Sequence, residues 1–171
     1  AIGEKVGLDF IANTVLNAKG EILGLFCGHY LKAHRAGIGF AKKVMCPEIP
    51  GMADILIVSA YPCHIDYWQG FKPVGFSLKG VKKGGIVIYL FDPPEGLCGN
   101  SPAHKPTLEK YLLEDAEKAK QDIESGEIKD IVGICNPLCH YQVVERVQVY
   151  CVTDSLTQDE CELLRFKMYT D

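Results

Sequence analysis

Two apolar runs, Asp54-Ile-Leu-Ile-Val-Ser59 and Gly84-Gly-Ile-Val-Ile-Tyr-Leu-Phe91, constrain the fold more than anything else in this chain. Neither alternates apolar with polar residues, so each reads as a strand buried on both faces, as in a parallel sheet covered by helices. Tyr61-Pro62 breaks the direction after the first run, and a helix is expected to open near Ile65 or Asp66 and to run toward Leu78. Pro73 and Gly75 inside that helix predict a kink or an interruption.

The remaining segments follow the same rhythm. Residues 8–17 and 21–27 are extended runs joined by Ala18-Lys-Gly20, a short loop with the glycine that a hairpin needs. From His29 to about Met45 apolar residues recur at helical spacing until Pro47 and Pro50 end the segment. After the second buried strand comes a long irregular stretch, residues 92–104, of the kind that is usually functional or mobile. A charged amphipathic helix is expected over residues 107–125, a helix containing Pro137 over 131–147, a short strand at 149–152, and a capping-box start at Thr157-Gln-Asp-Glu160 to a last helix. This alternation predicts an α/β fold, a largely parallel sheet flanked by helices, with an N-terminal β-hairpin. At 171 residues the chain, 1–171, reads as a single domain.

Composition excludes several classes of partner. A net charge of −4 with interspersed signs gives no basis for nucleic acid or an anionic membrane surface. No apolar run approaches the ~18 residues of a membrane span and no signal peptide precedes the first strand, so a soluble cytoplasmic protein is expected. The eight cysteines sit singly within apolar segments, as at Cys27, Cys151 and Cys161, and read as reduced small hydrophobes.

Chemistry is expected in the segment that follows the first buried strand. Gln69 and Lys72 lie three apart, so on a helix they share a face, and their amide and ammonium donors form a receptor for a carboxylate. Open parallel sheets place ligand sites at the carboxyl ends of strands, where this segment sits. The bland alternative is a solvated lysine with a local glutamine partner.

A resemblance adds to this reading. Val6-Gly-Leu-Asp-Phe-Ile11, Val15-Leu-Asn17, Gly28, Ala33-His34, Asp54-Ile-Leu-Ile-Val-Ser59, Tyr61-Pro62, Gln69-x-x-Lys72, Lys83-Gly-Gly85, Glu95-Gly-Leu97 and Val149-Tyr-Cys-Val-Thr-Asp-Ser-Leu156 together resemble the C-terminal domain of the nickel-dependent lactate racemase family. The order and spacing of these pieces carry the resemblance, which runs over nearly the whole chain. It implies one half of a two-domain racemase or epimerase of 2-hydroxy acids, with a nickel-pincer nucleotide held by an N-terminal domain that this chain lacks. In that enzyme hydride leaves the substrate α-carbon and returns to the other face while the carboxylate stays anchored. The resemblance assigns the anchoring to Gln69 and Lys72, with Tyr61 and Trp68 as further substrate-binding residues. No catalytic, cofactor-binding or metal-ligating residue is expected in this chain, which by itself is expected to be inactive and to hold no nickel. The implied partners are a small 2-hydroxy acid and the missing domain. The sequence departs from the family at Ala60, where a glycine pair is usual, and at Trp68, where a tyrosine is common; a shorter, bulkier turn would reshape the pocket.

Other motifs have weaker claims. Cys135-x-x-x-Cys139-His140 and Cys63-His64 have metal-like residue types but lack the paired short spacing of structural zinc, so helix packing is the expected role. His34 reads as a helix residue with a local hydrogen bond, and Gly84-Gly85 opens a strand instead of cradling phosphate. Glu95-Gly-Leu-Cys-Gly99 reads either as the border of an interdomain cleft or as a surface loop. A reading of another class is a non-catalytic α/β module that binds a small carboxylate or a partner protein.

Overall fold

The computed structural model describes residues 2–170, and its internal contacts cluster into two compact units divided between Pro50 and Gly51. The first unit holds α1 (Ile2–Lys5), β1 (Ile11–Leu16), β2 (Ile22–Gly28) and α2 (Tyr30–Met45). β1 and β2 form the expected antiparallel hairpin, with Ile11 opposite Gly28 and Leu16 opposite Ile22. Its turn is built by Asn17, whose Oδ1 accepts the backbone N–H groups of Lys19 and Glu21 at 2.9 and 3.0 Å, and by Gly20 at φ +80°. Among the described residues Val15, Ala33 and Gly37 are the unit's buried positions, and Phe26 and Phe40 meet with ring centroids 5.6 Å apart.

The second unit carries an all-parallel sheet in the order β3 (Ala53–Ser59), β4 (Val81–Leu90), β5 (Gln148–Val152) and β6 (Lys167–Tyr169). α3 (Tyr67–Ser77), α4 (Lys105–Leu113), α5 (Ala116–Glu124), α6 (Cys135–Val144) and α7 (Gln158–Leu163) complete it. Val87, Tyr89, Phe91, Val149 and Cys151 point into the core, where Tyr67, Val74, Leu108, Val143 and Leu164 are also fully or almost fully buried. α3 lies very close to β4: a Cβ at Gly70 would run into the Phe91 ring, and the Tyr89 hydroxyl donates to the Gly70 carbonyl.

The α/β class and the hairpin stand as read from the sequence, and several details differ. The run at β3 is not buried on both faces, because its outward residues Ile55 and Ile57 remain 57% and 66% exposed. α3 continues through Pro73 to Ser77, since packing of Tyr67, Gly70 and Val74 outweighs the interior proline's cost of about 3 kcal/mol. The helix expected over 107–125 is two helices: Glu114 is extended and the Asp115 carboxylate accepts the Lys118 N–H at 2.7 Å, starting α5 afresh. α6 begins only at Cys135, after a turn in which Asp130 accepts the Gly133 N–H, and so Pro137 falls in the first turn, where no N–H is required. The capping box of Thr157 and Glu160 is formed. β6 after it was not expected; three residues are too few to show a period.

Candidate functional site

The segment between β3 and α3 is fixed by its own side chains. Asp66 is fully buried, its Oδ1 accepting the Gln69 N–H at 2.9 Å and its Oδ2 the Asn100 N–H at 3.0 Å. One carboxylate therefore caps the helix and also ties down the irregular stretch after β4. That stretch follows the helix start closely: Tyr67 N–H donates to the Gly96 carbonyl at 2.9 Å, Trp68 N–H to Leu97 at 3.1 Å, and Glu95 N–H to Ile65 at 3.0 Å. Gly96 reaches this position with φ +65°. The consequence for ligand binding is direct. The first three N–H groups of α3 are already bonded, so this helix start cannot receive an anion on its backbone.

The donor side chains that follow are Gln69 and Lys72. The Lys72 ammonium donates to Gln69 Oε1, a contact that uses neither the amide N–H₂ nor the other two ammonium protons. Lys72 is exposed and Gln69 half-buried. Among the described residues no carboxylate pairs with Lys72, in contrast to Lys82, Lys105, Lys110, Lys118 and Lys120. A preformed fork of amide and ammonium donors without a counter-ion has the chemistry of a carboxylate receptor.

Tyr61 stands elsewhere. It lies in a cis Tyr61-Pro62 turn, exposed, and lines a cavity of about 310 Å³ at the carboxyl ends of the strands with Ser59, His64, Asp92, Thr153 and Asp154. Its ring is tilted against His64 with centroids 5.5 Å apart. The cavity wall is stiffened by Asp92, whose Oδ1 accepts the N–H groups of Asp154 and Ser155 at 3.0 and 2.7 Å. Hydrogen bonds from Ser155 lead in holding that carboxyl below the usual range. Gln69, Lys72 and Trp68 do not line this cavity, so the four residues read as one site divide between the strand ends and the α3 surface.

Trp68 has a partner that the sequence did not suggest. Its indole stacks on His104 at 4.9 Å and 18°, and His104 Nδ1 lies 2.9 and 3.0 Å from the two oxygens of Asp130. Asp130 also accepts the Gly133 N–H at 2.7 Å. Burial opposes its ionisation, but the Gly133 and His104 hydrogen bonds prevail and its carboxyl stays below the ordinary value. His104 and Asp130 are 26 positions apart and match no short motif, so only the long loop length hinted at them.

The metal-like residues separate. His140 is buried with Nδ1 2.5 Å from the Tyr67 hydroxyl, whereas Cys135 and Cys139 are exposed. Burial, and then the Arg165 charge, lower the His140 pKa to about 3. Among the described residues no three His, Cys, Asp or Glu side chains are arranged to hold a metal ion. His34 sits exposed on α2 in the first unit. No helix among the described residues is long and apolar enough to cross a membrane.

Comparison with known proteins gives this geometry a context. No family model matches the chain. The lactate racemase of Lactiplantibacillus plantarum is 30% identical over 100 residues, which cover 57% of this chain and 23% of the racemase. Over that stretch the chain is similar to a lactate racemase. In fold it matches the lactate racemase apoprotein of Thermoanaerobacterium thermosaccharolyticum at TM-score 0.76 and 22% identity, over 97% of this chain and 39% of that one. A Thermotoga maritima protein matches at TM-score 0.64 and 16% identity, over 98% of this chain and 44% of the other. The chain thus spans about a quarter of its curated relative and less than half of each solved chain.

Proposed function

We propose that this chain is the substrate-clamping, C-terminal part of a nickel-pincer-dependent racemase or epimerase acting on 2-hydroxy acids. The observation that carries the reading is the Gln69–Lys72 pair, preformed on α3 with no carboxylate partner among the described residues. Lys72 would hold the substrate carboxylate by charge and Gln69 would set its rotation, so that the α-carbon keeps one position while its configuration changes. The nickel-pincer nucleotide, when bound, supplies hydride abstraction and return. The residues described here offer that cofactor no ligand set: Cys135 and Cys139 face solvent while His140 points into the core against Tyr67. The reading accordingly assigns the cofactor and the acid–base groups to another part of the enzyme.

In the full-length enzyme, Lys72→Ala is expected to remove a charge-assisted contact of about 1.5–3 kcal/mol, or roughly ten- to a hundredfold in kcat/KM on 2-hydroxy acids. Gln69→Ala should lose less. Equal anchoring in ground and transition states would put the loss mainly in KM. Wild-type kinetics in a well-folded Lys72→Ala protein would overturn the clamp, and a full-length protein that turns over no 2-hydroxy acid would leave the non-catalytic binding module as the better reading.

A further inference from the structure

The first unit leaves a strand edge open beside a helix. Its sheet has two strands, so β1 pairs with β2 on one side and with no strand on the other. The two edges differ. β2 bulges at Leu23, where pairing steps from Val15–Gly24 to Leu16–Ile22, and a bulge twists an edge away from further pairing. β1 has neither the lysine nor the proline that ordinarily blocks an edge. With only Val15, Ala33 and Gly37 buried among the described residues, α2 on one face does not complete this unit's core.

A groove of about 390 Å³ runs along the β1 edge. Its strand wall is Ala12, Asn13, Thr14 and Val15, consecutive residues whose side chains alternate between faces, so the wall they share is the backbone itself. Its helix wall is His34, Gly37, Ile38 and Ala41, one stripe of α2. A free strand edge beside a helix takes up an extended peptide as an added strand, with main-chain hydrogen bonds for affinity and the helix wall reading alternate side chains.

Charge selects the peptide. α2 carries Lys32, Arg35, Lys42 and Lys43 and no acidic residue. Ile38 lies three residues after Arg35 and four before Lys42, so these exposed cations flank it on one stripe at the rim of the groove. Among the described residues no carboxylate pairs with either. Arg35 and Lys42 stand about 10.5 Å apart along the helix axis, and residues i and i+4 of a strand stand about 13 Å apart on one face. Two acidic side chains with an apolar one midway therefore match the stripe. A second copy of the chain matches it poorly, because antiparallel pairing of two β1 edges would turn Arg35 and Lys42 toward the same cations of the other α2.

We propose that β1 and α2 form a docking groove for an extended acidic segment of another polypeptide. The segment pairs with the free edge of β1, sets an apolar side chain against Ile38 and Ala41, and brings flanking carboxylates to Arg35 and Lys42. The groove lies within the first unit and uses neither Gln69 nor Lys72, so it is independent of the carboxylate clamp.

The probe is a capped heptapeptide, threonine at alternate positions with glutamate, valine and glutamate between them, titrated calorimetrically into the whole chain. It should bind, and its lysine-for-glutamate counterpart should bind at least about tenfold more weakly. Alternate N-methylation strips the donors from one edge of the peptide at a time; one methylated form should lose about tenfold and the other should bind as the parent does. Ile38→Asp, and Arg35→Glu with Lys42→Glu, should each cost at least about tenfold, while Lys32→Glu with Lys43→Glu, off the stripe but equal in charge, stays within about threefold. All four positions are exposed helix residues, so the variants are expected to fold. No binding up to about 1 mM, equal binding of both methylated forms, or equal losses in the two charge-reversed pairs overturns the proposal. So does a dimer in sedimentation that Ile38→Asp dissociates, which would give the edge to a second copy.

Discussion

His140 shows how one side chain can be both chemically tempting and structurally committed. Its sequence neighbourhood, Cys135-x-x-x-Cys139-His140, has metal-like residue types, yet the imidazole is spent on the Tyr67 hydroxyl amid the rings of Phe71 and Phe166. The Leu164 backbone offsets only part of the burial cost, so a proton added to this ring would be a buried charge without a counter-ion among the described residues. This dictates the sign of a pH effect. The folded pKa of about 3 lies below the ordinary value of 6.5, so the unfolded chain binds the proton first as pH falls. Stability is complete above 6.5 and declines by about 1.4 kcal/mol per pH unit from there toward 3. Buried aspartates add to the loss only below about pH 4. His140→Asn keeps an acceptor near the Tyr67 hydroxyl and removes the titration. It should be less stable at pH 8 by about 1–3 kcal/mol and nearly flat from pH 6.5 to 4.5. Urea unfolding across that window measures both, and a wild-type protein equally flat would contradict the burial assigned to His140.

At the level of elements, legibility followed the range of the forces involved. The start of α3 was readable because Asp66 caps it locally, and the hairpin because Gly20 marks a short turn between two extended runs. The division of 107–125 into α4 and α5 was missed because Asp115 looks like any charged residue on a helix face, while what ends α4 is tertiary: Arg165 donates to the Glu114 carbonyl at 2.9 Å and the Tyr141 hydroxyl to that of Tyr111. The Gly84-Gly85 pair was read as a strand opening, yet it is internal to β4. Gly84 has φ +78° and the pairing jumps from Ala53–Val81 to Ile55–Ile86, as at a bulge. The site divides in the same way. Gln69 and Lys72 were visible through their helical spacing, whereas the Trp68–His104–Asp130 assembly depends on contacts 26 and more residues apart. Asp66 joins the two ranges, so Asp66→Ala should cost more than an ordinary cap. Losing the Gln69 and Asn100 bonds together is expected to lower stability by about 2–4 kcal/mol in urea unfolding. A loss below about 1 kcal/mol would show that the loop after β4 holds its place without that carboxylate.

For the second unit as a whole, the unequal faces of its sheet matter most. Parallel sheets ordinarily lie between two layers, and the apolar content of β3 and β4 anticipates that environment. Here Val87, Tyr89 and Val149 are buried on one face, while Ile55, Ile57, Ile86, Ile88, Tyr150 and Tyr169 line an open apolar hollow or its edge on the other. Sequence pattern alone cannot separate these faces, because both are written in the same residues. Energetics can. Val87→Ala deletes two fully buried methyl groups and leaves a cavity, so it should cost about 2–3 kcal/mol. Ile57→Thr keeps the β-branched shape on an edge strand and removes only apolar surface that already meets water, so it should stay within about 0.5 kcal/mol of wild type. The double change Ile55→Thr with Ile57→Thr should also reduce binding of a hydrophobic dye by the native chain. Paired urea titrations decide the matter: if Ile57→Thr destabilises the chain as much as Val87→Ala, that face is covered in solution and the sheet is buried on both sides after all.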